Sequence, residues 1–351
     1  MSPRASLAPF LLLLLPPAAP PAASVPEDRT QVYRYMMGTS ISVEAFGGDE
    51  PTRRAAIAEA FDAVAEVDRL MSNYRDDSEL TLINHRAALE AVRVSDPMLA
   101  VLRAAQEVSV RSAGAFDITV GPLVRLWGFH DRKPHVPSPA ELERVRPLIG
   151  NGRLVIDPVA HTVRFLRRGV ELDLGGIAKG FAVELAAGAL RAHGLAGFID
   201  AGGNQFMLGL PPGKKAWGVG IKNPDSPKDL LGVLDVGEGS VSTSAQYANS
   251  LRAGPRQYGH ILDPRTLQPS AGALSITVVS PDGTLADALS KAGFVLGPGR
   301  GLAVIESFPA TAAVIAFRKP DGTIGITLSS RLNDKFHAAN KVSDQVQGDR
   351  R

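Results

Sequence analysis

Ten residues in the middle of the chain, Glu171-Leu-Asp-Leu-Gly-Gly-Ile-Ala-Lys-Gly180, restrict the fold more than any other stretch. An apolar strand with one acid, Val170 to Leu174, runs into two glycines and then into an amphipathic helix from Ile177 to His193. Glycine lets a backbone approach another group closely, and the first N–H groups of a helix have no partner within it. The passage is an anion site in outline, with Lys179 placed to add positive charge beside those amides. A tight strand-to-helix turn without a ligand accounts for the same residues. Asp173 repels a phosphate, so it serves either as an acceptor for a base or ribose hydrogen, as a helper to a metal, or as a plain carboxylate at a helix N-terminus.

The remaining chain must build a core around that passage. Between Arg53 and Tyr74, Ile57, Ala60, Phe61, Val64, Val67, Leu70 and Met71 recur at three- and four-residue intervals, the stripe of a helix with one face toward a core. Ser95 and Asp96 ahead of Pro97 start a second helix, with Leu99, Leu102, Ala105 and Val108 on one face and Gly114 as its stop. Ser138 and Glu141 form a capping-box pattern that starts a third. Strands are expected from near Tyr33 through Met37 to Phe46, at Leu154 to Ile156, Thr162 to Phe165, Gly197 to Ala201, Trp217 to Ile221, Leu231 to Val236, Tyr258 to Leu262 and Leu274 to Val279. A further helix is expected at Leu285 to Leu296. Strands and helices without a regular βαβ rhythm indicate an α+β fold rather than a doubly wound sheet.

Residues 1–24 have the layout of a secretory signal peptide: Arg4 in a positive first region, an apolar run from Ala5 to Leu15, and the small residues Ala22-Ala23-Ser24 for cleavage. The run is shorter than the ~20 residues that span a bilayer, so no membrane anchor is expected. Residues 25–32 read as a linker, 33–332 as the folded domain and 333–351 as a polar tail. The chain has no cysteine, which excludes disulfides, thiolate metal sites, a cysteine nucleophile and a lipid-modified cysteine. A periplasmic or secreted, unanchored protein is the expectation. Lys and Arg number 38 against 36 Asp and Glu, scattered along the chain, so there is no basic field suited to a nucleic-acid backbone and nucleic acid is not an expected partner.

Three further stretches can carry chemistry. Tyr258-Gly-His-Ile-Leu-Asp-Pro264 places a histidine and an aspartate three residues apart on a strand, where a period of two puts them on opposite faces, so no dyad is implied. Alone, His260 reads first as a packed or surface histidine and only second as a functional one. Asp287 and Lys291 form an i,i+4 pair, which on a solvated helix face contributes only ~0.3–0.5 kcal/mol. In the passage from Gly114 to Phe129, Phe116 and Trp127 can stack on a flat ring or fill the core.

The order of seven landmarks resembles the FAD:protein FMN transferases, the ApbE or thiamine-biosynthesis-lipoprotein family: Met37-Gly-Thr39, Ser72-Asn-Tyr-Arg75 with Ser78 and Asn84, Gly114-Ala-Phe-Asp117, Asp173-Leu-Gly-Gly-Ile-Ala-Lys-Gly180, Asp200-Ala-Gly-Gly203, His260-Ile-Leu-Asp-Pro264 and Ala286-Asp287. The resemblance implies an α+β, T-fold-related architecture of two intimately packed α/β halves holding FAD between them. It implies transfer of the FMN moiety of FAD to a Ser or Thr hydroxyl of an acceptor protein, with AMP leaving and Mg²⁺ assisting. An FAD pyrophosphatase and a non-catalytic exported flavin-binding protein are the alternatives on the same fold.

Carried over by position, Met37, Tyr74, Ala115, Phe116, Asp117, Asp173, Lys179, His260 and Ile261 match FAD-contacting positions. Gly176 and Asp287 match metal-site positions, Asp287 as a hard oxygen donor with a catalytic role. His260 matches the proton acceptor for the attacking hydroxyl, for which a side chain with an unperturbed pKa of about 6.5 is suited. Two residues depart from the pattern. Lys291 stands where the family has a metal-holding threonine: a protonated lysine cannot ligate, so it either sits on a phosphate oxygen in place of the ion or points to solvent. Leu267 stands where glycine is usual. Acceptors implied by the resemblance are flavin-carrying subunits or domains of membrane electron-transfer systems.

Overall fold

The computed structural model describes residues 28–131, 133, 135–245, 250–253 and 256–339. The stretch read as a signal peptide lies outside the described residues. In chain order, β1 (Arg29–Met36) and β2 (Thr39–Phe46) lead into α1 (Glu50–Met71), α2 (Glu79–Arg86), β3 (Val92–Arg93), α3 (Asp96–Arg111), α4 (Gly121–Leu126) and α5 (Pro139–Val145). Next come β4 (Leu154–Asp157), β5 (Thr162–Phe165), α6 (Ala178–Ala192), β6 (Ala196–Ala201), β7 (Asn204–Leu208), β8 (Trp217–Asn223), β9 (Ser226–Val236) and β10 (Gly239–Ala245). The chain continues through β11 (Ser250–Ala253), β12 (Arg256–Gly259), β13 (Leu262–Asp263), β14 (Gln268–Pro269), β15 (Ser275–Ser280), α7 (Gly283–Glu306), β16 (Ala312–Arg318), β17 (Ile324–Leu328) and β18 (Phe336–Ala338).

Eight of these strands form one antiparallel sheet in the order β1-β2-β6-β7-β10-β15-β16-β17. The architecture is α+β, and its two halves share that sheet. β1, β2, β6 and β7 lie under α1 and α6, β10, β15 and β16 lie under α7, and the β7–β10 pairing joins the two. Alternation along a strand divides the core between the sheet's faces. In β16, Ala313 and Ile315 enter the helix-side core, while Ala312, Val314 and Ala316 meet a second cluster with Leu231, Leu234 and Phe336 of the small sheet β18-β9-β8. Covered on both faces, the strand reads as a continuous apolar run.

The helix signals in the sequence have clear structural counterparts. Ile57, Phe61, Val64 and Val67 of α1 are buried, Ser95 accepts from the Met98 N–H at 3.4 Å to open α3, and the Ser138–Glu141 capping box opens α5. The helix expected to stop at Leu296 does break there, because Gly297 at φ +75° interrupts α7 ahead of Pro298.

At both ends of the domain the pairing extends further than expected. The linker assigned to 25–32 is strand from Arg29 on, since Arg29 to Val32 pair with Phe46 to Val43 across a two-residue turn, Met37-Gly38, with both φ values positive. Proline-rich composition upstream hid this onset. The tail assigned to 333–351 still contains β18, where Phe336 pairs with Leu234 and fills the second cluster. A single aromatic among polar residues gives too little local pattern to reveal such a distant partner.

Val170 to Leu174, expected as a strand, belongs to no ladder. Its backbone is held instead by Ile118 O, which accepts from Asp173 N at 2.8 Å, and by the Asn84 amide, which accepts from Leu172 N at 2.7 Å and donates to Leu172 O at 3.0 Å. Asn84 thus does the work of a neighbouring strand. It comes from α2, whose first turn is also tied down: Ser78 Oγ donates to Ser72 O at 2.8 Å, and Thr81 Oγ1 donates to Arg75 O at 2.8 Å. Asn84→Ala strands two backbone groups of the buried Leu172, at ~1–3 kcal/mol each, and is expected to cost about 2–4 kcal/mol in urea unfolding. An unchanged midpoint would show that the segment is held elsewhere.

Candidate active site

α6 and α7 cross at two glycines. A Cβ on Gly180 would lie 2.0 Å from Gly283 O, and one on Gly283 would lie 2.5 Å from Gly180 O, so only glycine permits this approach. Glu184 of α6 clamps the crossing by accepting from the N–H groups of Gly283 at 3.0 Å and Thr284 at 3.3 Å. Burial, and then the nearby Asp282 carboxylate, push the Glu184 pKa up. No side chain of its own caps α6. Asp287, one turn into α7, supplies that cap from outside by accepting the Gly180 N–H at 3.0 Å.

Asp287 has no solvent exposure, which corrects the picture of an ion pair on a solvated face. The Lys291 ammonium donates to its Oδ1 and to Ser290 Oγ at 3.2 Å, while the Lys291 side chain keeps 20% of its surface exposed. Burial alone would raise the Asp287 pKa, but the Lys291 and Lys179 ammonium groups, with the hydrogen bonds from Lys291 and Gly180, hold it below the ordinary carboxylate range. Burial lowers the Lys291 pKa, opposed by Asp287 and reinforced by Lys179. Beneath them lies a buried hydroxyl network that sequence reading missed. Ser290 Oγ donates to Asp287 O at 2.8 Å and meets Ser244 Oγ at 2.8 Å and Ser242 Oγ at 3.2 Å, and Ser242 donates to Asn204 Oδ1 at 2.7 Å. Its members come from β7, β10 and α7, so no local motif announces it.

The glycine turn lies against this pair. A Cβ on Gly176 would stand 3.2 Å from the Phe116 ring and 3.7 Å from Lys291 Cγ, and Lys179 Nζ donates to Gly175 O at 3.2 Å. Asp173 Oδ1 accepts from Gly175 N at 2.8 Å, so its carboxylate shapes the turn. Structure therefore brings Phe116, Asp173, Gly176, Lys179, Asp287 and Lys291 to one place.

The other expected residues form separate groups with contacts of their own. Asp117 is buried, its Oδ1 accepting from Thr119 N at 2.8 Å and Thr119 Oγ1 at 2.6 Å, and burial pushes its pKa up. Ala115 is buried beside it. Asp117 lines a groove of about 470 Å³ with Gly114, Asn151, Arg146 and Arg265, two arginines that sequence reading did not single out. Met37 sits in the β1–β2 turn, where Thr39 packs on Gly202. Tyr74 is 71% exposed and stacks on His130, ring centroids 4.8 Å apart and 3° from parallel. A larger groove of about 650 Å³, between α3 and the start of α7, is lined by none of the expected site residues.

The strand expected over Tyr258 to Leu262 breaks at His260-Ile261, between β12 and β13. His260 is half-buried in this bend, and Ile261 O accepts from Ser270 N at 2.8 Å. The face argument against a dyad fails at the break, but Asp263 is engaged elsewhere, accepting from Arg265 Nε at 2.9 Å and Nη2 at 2.8 Å. Leu267 adopts φ +62°, the conformation that makes glycine usual here, and repays the strain by burial with Leu123, Trp127, Leu142 and Leu262. Trp127 itself is core, its Nε1 donating to Leu267 O at 3.1 Å.

Among the described residues no three His, Asp or Glu side chains converge as a metal cage. That count does not decide the matter, since Mg²⁺ is often held by one carboxylate and substrate phosphates. The ammonium does: a dication on Asp287 would share the carboxylate with Lys291 at close range and be repelled by it. The side chains present do not fit Mg²⁺ at this position.

Comparison with known proteins places the chain in a family. Residues 37–315 match the ApbE family. A FAD:protein FMN transferase of Treponema pallidum is 34% identical over 280 residues, covering 75% of this chain and 77% of that protein. One of Salmonella typhimurium is 32% identical over 298 residues, 82% of this chain and 83% of that protein. The crystal structure of the ApbE protein of Thermotoga maritima, 31% identical, superposes with a TM-score of 0.77 over 84% of this chain and 96% of its own. Matched in sequence over most of its length and in fold across the shared sheet and helices, the chain belongs to the ApbE family.

Proposed function

We propose that this protein is an exported FAD:protein FMN transferase that moves the FMN moiety of FAD onto a Ser or Thr hydroxyl of an acceptor protein and releases AMP. The observation that carries the reading is the convergence of Lys179, Lys291 and Phe116 on the Gly175-Gly176 turn at the start of α6. Two ammonium groups suit a diphosphate, and an aromatic edge beside them suits a flavin. Names of the relatives support the same chemistry.

In this reading FAD lies with its diphosphate on the glycine turn, and Met37, Tyr74, Ala115, Phe116, Asp117, Asp173 and Ile261 bind its remainder. The acceptor hydroxyl attacks the phosphorus of the FMN half, the new O–P bond forms, the P–O bond to AMP breaks, and AMP leaves. His260 takes the hydroxyl proton. Charge on the phosphoryl oxygens is met by Lys179 and Lys291, an electrostatic and positioning task. The magnesium implied by the resemblance enters no step, because Lys291 already holds Asp287. The proposed acceptors are flavin-carrying subunits of membrane electron-transfer systems, met in the periplasm or outside the cell; among the described residues no helix is long and apolar enough to cross a membrane.

The test is mass spectrometry of an acceptor domain incubated with the purified protein and FAD, with AMP followed by chromatography. One added FMN per acceptor with matching AMP is expected. AMP with free FMN would make the protein a hydrolase, and intact bound FAD a flavin-binding protein. His260→Ala is expected to slow transfer about 100-fold or more while FAD affinity changes a few-fold. Equal losses in both would recast His260 as a binding residue.

A further inference from the structure

We propose that Lys291 is a resident cation, its ammonium taking at the diphosphate the place of a divalent ion, so that this chain transfers FMN without a metal. The inference rests on the transferase reading and concerns how its charge is balanced.

The stem of Lys291 runs beside Gly176, 3.7 and 4.0 Å from where a Cβ would stand, so the side chain passes along the turn assigned to the diphosphate. An ammonium has three N–H donors. Among the described residues two are used, by Asp287 Oδ1 and Ser290 Oγ, which leaves the third for an anion. The side chain is not sealed in, since 20% of it is exposed while its carboxylate partner has no exposure. Its position is fixed from both sides: Asp287 is locked by the Gly180 N–H, and Ser290 by Asp287 O and by the hydroxyls of Ser242 and Ser244. Lys179 Nζ reaches the same turn at Gly175 O, so two ammonium groups stand there with the carboxylates of Asp287 and Asp173, the first buried under Lys291 and the second turned onto Gly175 N.

This arrangement reproduces what a dication offers, a fixed positive charge that needs no recruitment, and it makes Asp287 the anchor of that charge instead of a metal ligand. No proton leaves Lys291 in the step. The hydroxyl oxygen bonds to phosphorus, the bond to the AMP oxygen breaks, and the ammonium stays in place.

Two measurements on the full chain test it. In the first, which needs no flavin, Mn²⁺ is titrated and followed by electron paramagnetic resonance. Wild type is expected to leave the free-ion signal unchanged, and Lys291→Thr to bind Mn²⁺ in a manner abolished by adding Asp287→Asn. In the second, AMP release from FAD with an acceptor is compared in Mg²⁺ and in chelator. Wild type is expected to agree within about twofold in the two conditions, Lys291→Arg to remain chelator-resistant, and Lys291→Met to fall about 100-fold with less change in FAD binding. Mn²⁺ binding by wild type together with loss of AMP release in chelator would overturn the proposal, and needs no variant to fold. Should wild type fail to bind FAD, the transferase reading falls, and the Mn²⁺ titration still decides whether Lys291 occupies the cation's place.

Discussion

Gly180→Ala is expected to unfold at a temperature lower by on the order of 5–10 °C, a loss of about 3 kcal/mol or more, and to lose FMN transfer with it. The added methyl would lie 2.0 Å from Gly283 O and 2.6 Å from Asp287 Cβ. One of these is backbone and the other sits at the root of a buried side chain, so neither can swing aside. α6 and α7 must part, and the bond from Gly180 N to Asp287 Oδ2 goes with the contact. The control lies on the same helix: a Cβ on Gly188 meets nothing within 4 Å, so Gly188→Ala is expected to leave stability unchanged or raise it by about 0.5–1 kcal/mol. If both substitutions melt alike, helix propensity and not the crossing governs α6.

Asp287→Asn keeps the shape and removes the charge. An amide has one acceptor oxygen where the carboxylate has two, so Lys291 and the Gly180 N–H can no longer both be served, and removing the charge from one side of a buried pair costs ~3–5 kcal/mol when neither group can reach water. Lys291 is partly exposed and can turn outward, so about 2–4 kcal/mol is expected here. Transfer is expected to fall about 100-fold or more, because the ammonium loses its anchor. Pairing the change with Lys291→Met separates the two effects. The double variant should recover much of the stability, since no unpaired charge remains, and none of the activity. Wild-type turnover in Asp287→Asn would remove the residue from the mechanism.

Much of this was legible in the chain. The stripes of α1 and α3, the capping box of α5, the break after Leu296 and the glycine turn that opens α6 all rest on signals within a few residues of one another. What escaped depends on distant partners. Val170 to Leu174 has a strand's composition, yet its bonds go to a side chain in α2 and a short turn at Ile118, which no period reveals. The i,i+4 spacing of Asp287 and Lys291 predicted their pairing but not their burial, which comes from α6 lying a glycine's width away. Leu267 looked like a departure in a turn, and its positive φ shows that the turn kept its shape while the side chain found a core.

The two hydrogen bonds of Asn84 make α2 a spacer as well as a packing element. At its start, Ser78 and Thr81 grip the loop bearing Tyr74; near its end, Asn84 grips the segment bearing Asp173. Eight helical residues rise about 12 Å, and a helix so short hardly bends. The interval between the exposed aromatic and the glycine turn is therefore metered by a rigid ruler graduated in helical rise, and loop and turn keep their distance whatever the surface around them does.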